Sequence, residues 1–364
     1  MNAPTLETNR PAEARPFFSI CIPQYNRTDF LIKACATFAA QTFRDFEVCI
    51  SDDCSNDGKE STLLQYLRNS TLVFTYARTS TNLRYDGNLR SAISLSAGRY
   101  LILMGNDDGF SDPETIQHIH DQLVASAPVA VAITNYRELP SGRLFRRMRT
   151  SGVLGSGPAV AASTFRNYSF VSGVVLEGAP AREAATSALD ESEMYQMYLG
   201  TRLVAGGGRF LAIDRVCIDK DLQIAGQVAD SYRQKPRLHP CPIVERPLPM
   251  GRLLEVVATG LEPYHKDSER ERNLLAVARQ LYRFTYPFWA IEYRRIQSWR
   301  FALGVFLAFN PRRTAQGLAL SRLARLRLWL MYVTAGAVAL TAPIALFDAF
   351  RPWLYALAKR YWIS

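Results

Sequence analysis

The stretch YLILMGNDDGF, residues 100–110, decides how this sequence is read. Its first five residues are apolar and predict a buried strand. Asn106, Asp107 and Asp108 follow at once and place two adjacent carboxylates at the tip of that strand. Neighbouring like charges repel, and they also lose hydration at the edge of a core. The pair therefore needs compensation, and the rest of the sequence has to indicate what supplies it.

The composition is that of a chain able to bury a large core. It has 364 residues, of which 48% are apolar, enough for one large or two ordinary domains. The six cysteines (21, 35, 49, 54, 217 and 241) form neither a CxxC pair nor a metal-ligand spacing. They lie in apolar stretches, so we expect reduced, mostly buried thiols in the cytosol. Residues 1–16 have no apolar core, so we expect a flexible tail there and no secretory signal.

The positive charge is concentrated near the C-terminal end. The formal net charge is +10, and residues 290–364 contribute +9 of it, with eleven Lys or Arg against two Asp or Glu. A nucleic-acid-binding domain would spread basic residues over a folded face with interleaved aromatic residues. Here the excess flanks the most apolar part of the chain. This pattern favours an anionic membrane surface and argues against a nucleic-acid partner.

Short apolar runs alternate with helical periods over residues 17–134. Strands separated by helices imply right-handed crossovers and an α/β fold with a mostly parallel sheet. The strands are predicted at 17–22, 46–51, 72–77, 99–104 and 129–134, and the helices at 28–41, at about 86–97 and from Asp112 onward.

Three of the predicted strands end in polar residues. These ends are PQYNR (23–27), SDDCSNDG (51–58) and NDDG (106–109). Asp and Asn also form turns and helix caps. Ligands of parallel sheets, however, bind beyond the carboxyl ends of the strands. Three polar tips on that one edge therefore predict a shared ligand site.

These segments resemble the family 2 glycosyltransferases, which share the GT-A, Rossmann-like fold that binds nucleotide sugars. The matching residues are SICIPQYNR, VCISDDCSNDG, NLRYDGNLRSAISLSAGRY and LILMGNDDGF, in the order and at the spacing of the family. The resemblance is dense over about residues 17–115 and weaker to about 220. It implies a nucleotide-sugar donor.

The resemblance also implies roles for the residues at the strand tips. Those of the first tip would shape the nucleoside pocket, and the carboxylates of the second would accept hydrogen bonds from the base or ribose. Arg84 would reach a phosphate near a helix N-terminus. The donor-binding candidates are Pro23, Tyr25, Asn26, Arg27, Asp52, Asp53, Asn82, Arg84, Asn106 and Asp107.

Asp107 and Asp108 resemble the DxD element of the family, which holds a divalent cation against the diphosphate of the donor. Mg²⁺ or Mn²⁺ prefers hard oxygen ligands and would offset the repulsion between the two carboxylates. One departure weakens this expectation, because the first Asp of the family pattern falls on Gly105. Asp107 is the first choice as ligand.

Inverting sugar transfer needs a carboxylate that takes the proton of the acceptor hydroxyl. In the family this base lies 80–100 residues after the metal motif, at the start of a helix. LDESEMYQMYLGTRLVAGGGRFLAID (189–214) has that shape, although acids also favour a first helical turn without any catalytic role. Asp190, Glu191 and Glu193 all remain candidates. Residues 169–178 are expected to line the acceptor side.

The C-terminal third lacks these motifs and contains a proline-rich stretch followed by an apolar one. Residues 233–251 hold five prolines and predict an extended linker. Residues 328–347 contain no charged residue and are long enough to span a bilayer. Three interpretations stay open: a single span, a pair of helices lying in the membrane interface with a bend at Pro343, or ordinary core helices. The predicted division is a tail (1–16), a GT-A domain (17–225), a linker with a helical extension (226–290) and a membrane-associated region (291–364).

The sequence thus predicts a metal-dependent, inverting glycosyltransferase on the cytoplasmic face of a membrane. Its acceptor would be a glycan or a lipid-linked hydroxyl in cell-surface polysaccharide or glycolipid synthesis. Two alternatives remain. One is a nucleotidyltransferase, although PQYNRTD is not the glycine-rich phosphate loop of such enzymes. The other is an inactive membrane protein that binds nucleotide sugars, which the substitution at Gly105 keeps open.

Overall fold

The computed structural model describes residues 5–227, 249–264, 267–296, 298–350 and 353. Within these residues the chain forms one eleven-stranded sheet with helices on both faces. The strands are β1 (Thr5–Thr8), β2 (Phe18–Gln24), β3 (Phe46–Asp52), β4 (Phe74–Arg78), β5 (Tyr100–Leu103), β6 (Gly109–Phe110), β7 (Val131–Glu138), β8 (Arg143–Phe145), β9 (Gly152–Gly155), β10 (Val174–Glu177) and β11 (Phe210–Lys220).

The helices fall into two groups, those between the strands and those that follow the sheet. The first group is α1 (Thr28–Ala39), α2 (Glu60–Asn69), α3 (Arg84–Ser94), α4 (Thr115–Ala125), α5 (Pro158–Thr164), α6 (Gly178–Glu183) and α7 (Tyr195–Ala205). The second is α8 (Leu253–Leu261), α9 (Asp267–Gln280), α10 (Tyr286–Ile296), α11 (Trp299–Ala308), α12 (Pro311–Thr314) and α13 (Arg322–Thr341), with a π-helical turn, Leu281–Thr285, between α9 and α10.

The sheet is built around a parallel centre. Its strand order is β1-β4-β3-β2-β5-β10-β7-β11-β6, and β4, β3, β2 and β5 are parallel neighbours. β10 is antiparallel to both β5 and β7, so β7 and β11 run in the same direction as the central strands. The carboxyl ends of six strands therefore point to one edge. The predicted α/β fold with a mostly parallel sheet flanked by helices is confirmed.

Alternation along the central strands separates two cores. Phe18, Ile20 and Ile22 of β2 pack with α1, α2 and α4 on one face of the sheet. Cys21 and Cys49 point to the other face, towards α3, α5 and α7. All five cysteines in the described residues are free thiols, and four of them are buried, whereas Cys241 lies outside the described residues. This agrees with the mostly buried thiols that the sequence predicts.

Several local expectations differ from the structure. Part of the expected flexible tail forms β1, which pairs antiparallel with β4, because its extended residues complete the hydrogen bonds of that edge strand. Arg10, in the same tail, pairs with the buried Glu47. Helix α2 has no counterpart in the prediction. At the start of α1 the Thr28 hydroxyl donates to Asp57, at 2.7 Å, in the loop after β3.

The helices after the sheet share one core with its α3–α7 face. α8 packs on α7, where an added Cβ at Gly260 would lie 3.0 Å from Thr201. Val257, Leu281 and Tyr332 belong to the same buried cluster as the residues of α5 and α7. The boundaries predicted at 225 and 290 stay predictions, and residues 233–248 of the predicted linker lie outside the described residues. Within the described part, α13 alone is long and apolar enough to cross a membrane, judged by length and composition.

Candidate active site

Gln24, at the end of β2, joins three strand tips. Its backbone oxygen accepts a hydrogen bond from the backbone N–H of Asp53 at 2.8 Å. Its side-chain oxygen accepts from the Asn106 amide at 2.7 Å, and its side-chain nitrogen donates to the backbone oxygen of Asn26 at 2.5 Å. Asn88 of α3 donates to the Gln24 backbone oxygen at 2.9 Å. The polar tips of β2, β3 and β5 therefore meet at one place, on the edge that the sequence indicated.

Asp107, Asp108 and Asp221 form a cluster at this edge, with one carboxylate oxygen of each within 4.8 Å of the others. The backbone N–H of Asp221 donates to Asp108 at 3.0 Å, and that of Leu222 donates to the backbone oxygen of Asp107 at 2.8 Å. The residues that follow β11 are thus fastened to the turn that follows β5. Asp108 and Asp221 are each only 3% exposed.

The acidic cluster is under-compensated by the protein itself. Burial, reinforced by the charge of Asp107, raises the pKa of Asp108 to about 8, and burial also raises the pKa of Asp107. Three cations lie near the cluster: Arg27 is 3.0 Å from Asp107, Lys220 pairs with Asp221, and the buried Arg147 interacts electrostatically with Asp108. Three carboxylates are the hard oxygen donors that Mg²⁺ and Mn²⁺ accept. The residues present therefore fit a divalent cation, which would relieve the repulsion noted in the sequence.

Gly105 is explained by the packing of the same turn. An added Cβ there would lie 2.9 Å from a carboxylate oxygen of Asp108 and 3.3 Å from one of Asp107. The Ser172 hydroxyl accepts from the Gly105 N–H at 2.8 Å and donates to Asp108 at 2.5 Å. Arg147 in turn donates to the backbone oxygen of Ser172 at 2.8 Å. A carboxylate at position 105 would therefore crowd the two that follow it.

The predicted donor side is formed by two loops that are hydrogen-bonded to each other, one after β3 and one between β4 and α3. Asp52 accepts from the Ser55 N–H at 2.7 Å and from the Tyr76 hydroxyl at 3.1 Å. Asp53 accepts from the Leu83 N–H at 2.5 Å, at the start of α3. Burial raises the pKa of both carboxyls. These contacts hold the second tip rigidly against the N-terminus of α3.

The remaining donor candidates lie around those loops. Asn82 donates to the backbone oxygen of Asp53 at 3.3 Å and accepts from the Arg84 N–H at 3.0 Å. Asn26 accepts from the backbone of Asn56 at 2.8 Å, which ties the first tip to the second. Arg84 is largely exposed, and Tyr25 is 38% exposed while Pro23 is half-buried. Arg84, Tyr25 and Asn82 are thus the exposed donor candidates.

The predicted acidic segment, residues 190–193, lies beside the N-terminus of α3. Asp190 receives two hydrogen bonds from Arg90, at 2.5 and 2.9 Å, so both of its oxygens are engaged by one guanidinium. Glu191 lies 4.0 Å from Arg84, and both side chains are more than half exposed. Glu193 is exposed as well. The structure therefore brings the acidic segment next to Arg84, the predicted phosphate-binding arginine. Asp190 differs from the two glutamates because Arg90 occupies both of its carboxylate oxygens.

Asp86, which the sequence analysis did not single out, holds this segment in place. It is 1% exposed on α3 and accepts from the backbone N–H groups of Glu193 (2.8 Å) and Tyr195 (3.1 Å). The Ser192 hydroxyl also lies 3.4 Å from it. Because Tyr195 begins α7, Asp86 supplies from another helix the cap that this terminus lacks.

Backbone strain is concentrated at the same edge. Left-handed φ angles cost non-glycine residues about 1–2 kcal/mol each and persist mainly at functional sites. Five of the seven such residues in the described part are predicted site residues, and the other two are Cys54, next to Asp53, and Asp221. The seven are Asn26, Arg27, Cys54, Arg84, Glu191, Glu193 and Asp221.

Gln24 and Asp221 are the other residues that the sequence analysis missed. Asp221 follows the strand after the glycine run, in the segment CIDKDLQ (217–223). The rule that polar residues at strand tips mark the ligand edge would have found it, had it been applied to that strand. Gln24 lies in the polar tip PQYNR, but the sequence alone does not show that it joins the neighbouring tips.

Residues 19–174 match the model of glycosyl transferase family 2. The match contains the tips of β2, β3 and β5 together with Ser172, and it ends before the acidic segment, Asp221 and the helices from α8 onward.

One similar curated relative is the abequosyltransferase RfbV of Salmonella typhimurium (strain LT2), 37% identical over 95 residues. That alignment covers 26% of this chain and 28% of RfbV, so the chain spans under a third of the relative's length.

Two solved structures show the same fold. Staphylococcus aureus TarS, residues 1–349 in complex with UDP-GlcNAc, has a TM-score of 0.60 at 14% identity and covers 92% of both chains. The mannosyltransferase PcManGT from Pyrobaculum calidifontis, in complex with GDP-Man and Mn²⁺, has a TM-score of 0.51 at 16% identity and covers 97% of this chain and 90% of its own. At these identities the likeness establishes the fold.

Proposed function

We propose that this protein is an inverting, divalent-metal-dependent glycosyltransferase. The observation that carries the proposal is the meeting of three strand tips beside a cluster of three carboxylates that the protein only partly neutralises. A nucleotide sugar bound at this edge would have its nucleoside against the β3 tip and its diphosphate against the acidic cluster. UDP-GlcNAc in TarS and GDP-Man in PcManGT support a nucleoside-diphosphate sugar as the donor class.

The residues of this chain would divide the work on the donor. Asp53 and the loop at Asn82 would receive the base or ribose, and Arg84 would face a phosphate. Arg27 has a buried guanidinium nitrogen without a hydrogen-bond partner, while its other terminal nitrogen pairs with Asp107. A phosphate oxygen would satisfy that nitrogen. Asp107, Asp108 and Asp221 would hold Mg²⁺ or Mn²⁺, which would offset the charge on the departing diphosphate.

The proton acceptor is proposed to be Glu191 or Glu193. In inverting transfer the acceptor oxygen attacks the anomeric carbon, the bond to the diphosphate breaks, and a carboxylate takes the hydroxyl proton. Asp190 is the weaker candidate, because Arg90 occupies both of its oxygens. Asp190 and Arg90 then position the segment that carries the glutamates. Separate Glu191→Gln and Glu193→Gln variants identify the base. Only the variant that removes the base should lower kcat, with little change in the donor KM.

The acceptor is proposed to dock between the acidic segment and the loop before β10. Phe170 in that loop lies 4.2 Å, centroid to centroid, from Tyr136, which stacks on Phe145 at 4.8 Å. Half-buried rings of this kind can pack against the apolar face of a sugar. A lipid-linked acceptor at the cytoplasmic face of a membrane agrees with the basic and apolar C-terminal helices. Cell-surface polysaccharide or glycolipid synthesis would be the setting.

Donor hydrolysis tests the function. The purified protein is incubated with UDP-, GDP-, CDP- and dTDP-sugars, with and without Mn²⁺, and free nucleoside diphosphate is measured. We expect Mn²⁺-dependent release from one donor class and its loss in Asp107→Asn. The control is Glu47→Gln, since Glu47 is a buried carboxylate at the opposite edge of the sheet. Donor binding without release would instead support an inactive nucleotide-sugar-binding protein, and release of pyrophosphate from a nucleoside triphosphate would support a nucleotidyltransferase.

A further inference from the structure

The outer face of α13 is apolar and exposed. Its large side chains are each between 55% and 58% exposed, and their spacing of three, four and five residues places them on one side of the helix. We call this surface the α13 outer face. It consists of Leu323, Leu326, Leu330, Val333 and Val338.

The opposite side of α13 is built into the fold. The ring of Tyr332 stacks on Phe306 of α11 with centroids 4.2 Å apart. An added Cβ at Gly336 would overlap the ring of Phe306, so the close approach of α11 and α13 requires a glycine there. Arg294 of α10 donates to the backbone oxygen of Ala339 at 2.8 Å. A helix so fastened to the protein along its length offers a single face, which excludes a free span through a bilayer.

The ends of α13 carry the side chains that favour a membrane surface. Arg322, Arg325 and Arg327 are exposed in its first turns. At the other end the Trp299 ring is 52% exposed and donates to the backbone oxygen of Leu340 at 3.1 Å, while Trp353 is 60% exposed. Arginine and tryptophan next to exposed aliphatic residues are typical of helices that lie in the membrane interface.

Charge selects the occupant of the face. Residues 290–364 carry +9, whereas the first 289 residues, with 32 basic and 31 acidic side chains, are nearly neutral. Packing this face against a second copy would bring two such positive regions together, and an uncharged bilayer would leave them without counter-charge. An anionic leaflet satisfies both the apolar side chains and the arginines.

We infer that the α13 outer face docks the protein in the plane of an anionic membrane, with α13 parallel to the surface. Of the three interpretations left open by the sequence, this favours interfacial helices. The inference deepens the proposed function, on which it rests for a membrane-bound acceptor. It also places the transfer site at a fixed height above lipid, since α13 shares one core with α7 and its acidic segment.

Vesicle flotation of the full-length protein tests the inference. The probes are phosphatidylcholine vesicles with and without about one-quarter phosphatidylglycerol. We expect at least roughly tenfold stronger binding to the anionic vesicles, weakened by salt, because part of the attraction is screened. Leu330→Glu should lower that binding by roughly tenfold or more, and Arg322→Gln should reduce its salt dependence. Val124→Glu is the matched control, because Val124 is 54% exposed on α4 and belongs to another surface.

Several results would overturn the inference. These are equal vesicle binding by Leu330→Glu and the parent protein, resistance of membrane-bound protein to carbonate extraction as for a span, or dimerisation that Leu330→Glu abolishes. Leu326→Glu is the second variant should Leu330→Glu fail to fold. Hydrolysis of a soluble donor is measured in parallel and should be unchanged in Leu330→Glu. Its absence in the parent protein would reject the proposed function and leave the vesicle result standing.

Discussion

The Asp86→Asn variant tests whether the acidic segment carries the chemistry. Asp86 does not face the acidic cluster; it holds the backbone of Glu193 and Tyr195 through its two carboxylate oxygens. The asparagine amide keeps one acceptor oxygen and turns a nitrogen towards a backbone N–H. One of the two backbone hydrogen bonds is therefore lost. In its place the amide nitrogen of the asparagine and a backbone N–H, both donors, face each other.

The magnitude follows from those contacts. A hydrogen bond to a charged group contributes about 1.5–3 kcal/mol, and a buried unsatisfied donor adds a cost of its own, so we expect a loss of about 3 kcal/mol in the free energy of unfolding. Glu191 and Glu193 are held in left-handed conformations, and release of the Glu193 N–H lets this segment relax. A displacement of about 1 Å at a catalytic group costs on the order of a hundredfold in rate.

Glu47→Gln is the matched control for this experiment. Glu47 is also fully buried and accepts from the Ser19 hydroxyl at 2.6 Å, from the Ala97 N–H at 2.8 Å and from Arg10, at the amino ends of the strands. Denaturant unfolding measures the stability of both variants, and donor hydrolysis below their melting temperatures gives kcat and KM. We expect similar destabilisation in both, with kcat falling only in Asp86→Asn and the donor KM nearly unchanged. Equal kcat values would refute the catalytic assignment of the segment.

Three further outcomes are expected at the acidic cluster. Burial and the charge of Asp107 raise the pKa of Asp108, so below about pH 8 a proton must leave before Mn²⁺ binds; calorimetry should show affinity falling by about tenfold per pH unit below that value and levelling above it. Gly105→Asp, which restores the family residue, should weaken Mn²⁺ binding and lower the melting temperature, whereas Gly105→Asp with Asp221→Asn should recover part of both; no recovery would show that the two positions are not equivalent. Arg27→Gln should raise the donor KM while Mn²⁺ affinity in the absence of donor rises, and unchanged constants would remove Arg27 from the site.

The parallel half of the fold was predictable because its signals are local. Apolar runs such as FEVCIS and YLILM are short, are bounded by turn residues and alternate with helical periods. This pattern is typical of buried parallel strands. Their polar tips then had to meet at one edge, and Gln24 shows that they do. Helix α2 was missed because its apolar stripe is only Leu63, Leu64 and Leu67 in a polar segment.

The antiparallel half was not predictable in this way. β10 is four residues long and lies between β5 and β7, two strands that precede it in the chain, so its pairing depends on contacts distant in sequence. The same holds for Asp86, whose partners are more than a hundred residues away. An acid in the first turn of a helix ordinarily reads as a response to the helix dipole. Only the position of α7 in the fold shows that Asp86 also binds the backbone N–H groups of Glu193 and Tyr195.

The substitution at Gly105 and the presence of Asp221 are best understood together. The family pattern would place carboxylates at 105 and 107, yet the space beside Gly105 is filled by Asp108, which Ser172 and the Asp221 N–H hold there. A third carboxylate, that of Asp221, reaches the cluster from the residues that follow β11. Because a cation responds to the positions of its oxygen ligands and not to their order in sequence, the departure at 105 does not by itself imply loss of metal binding.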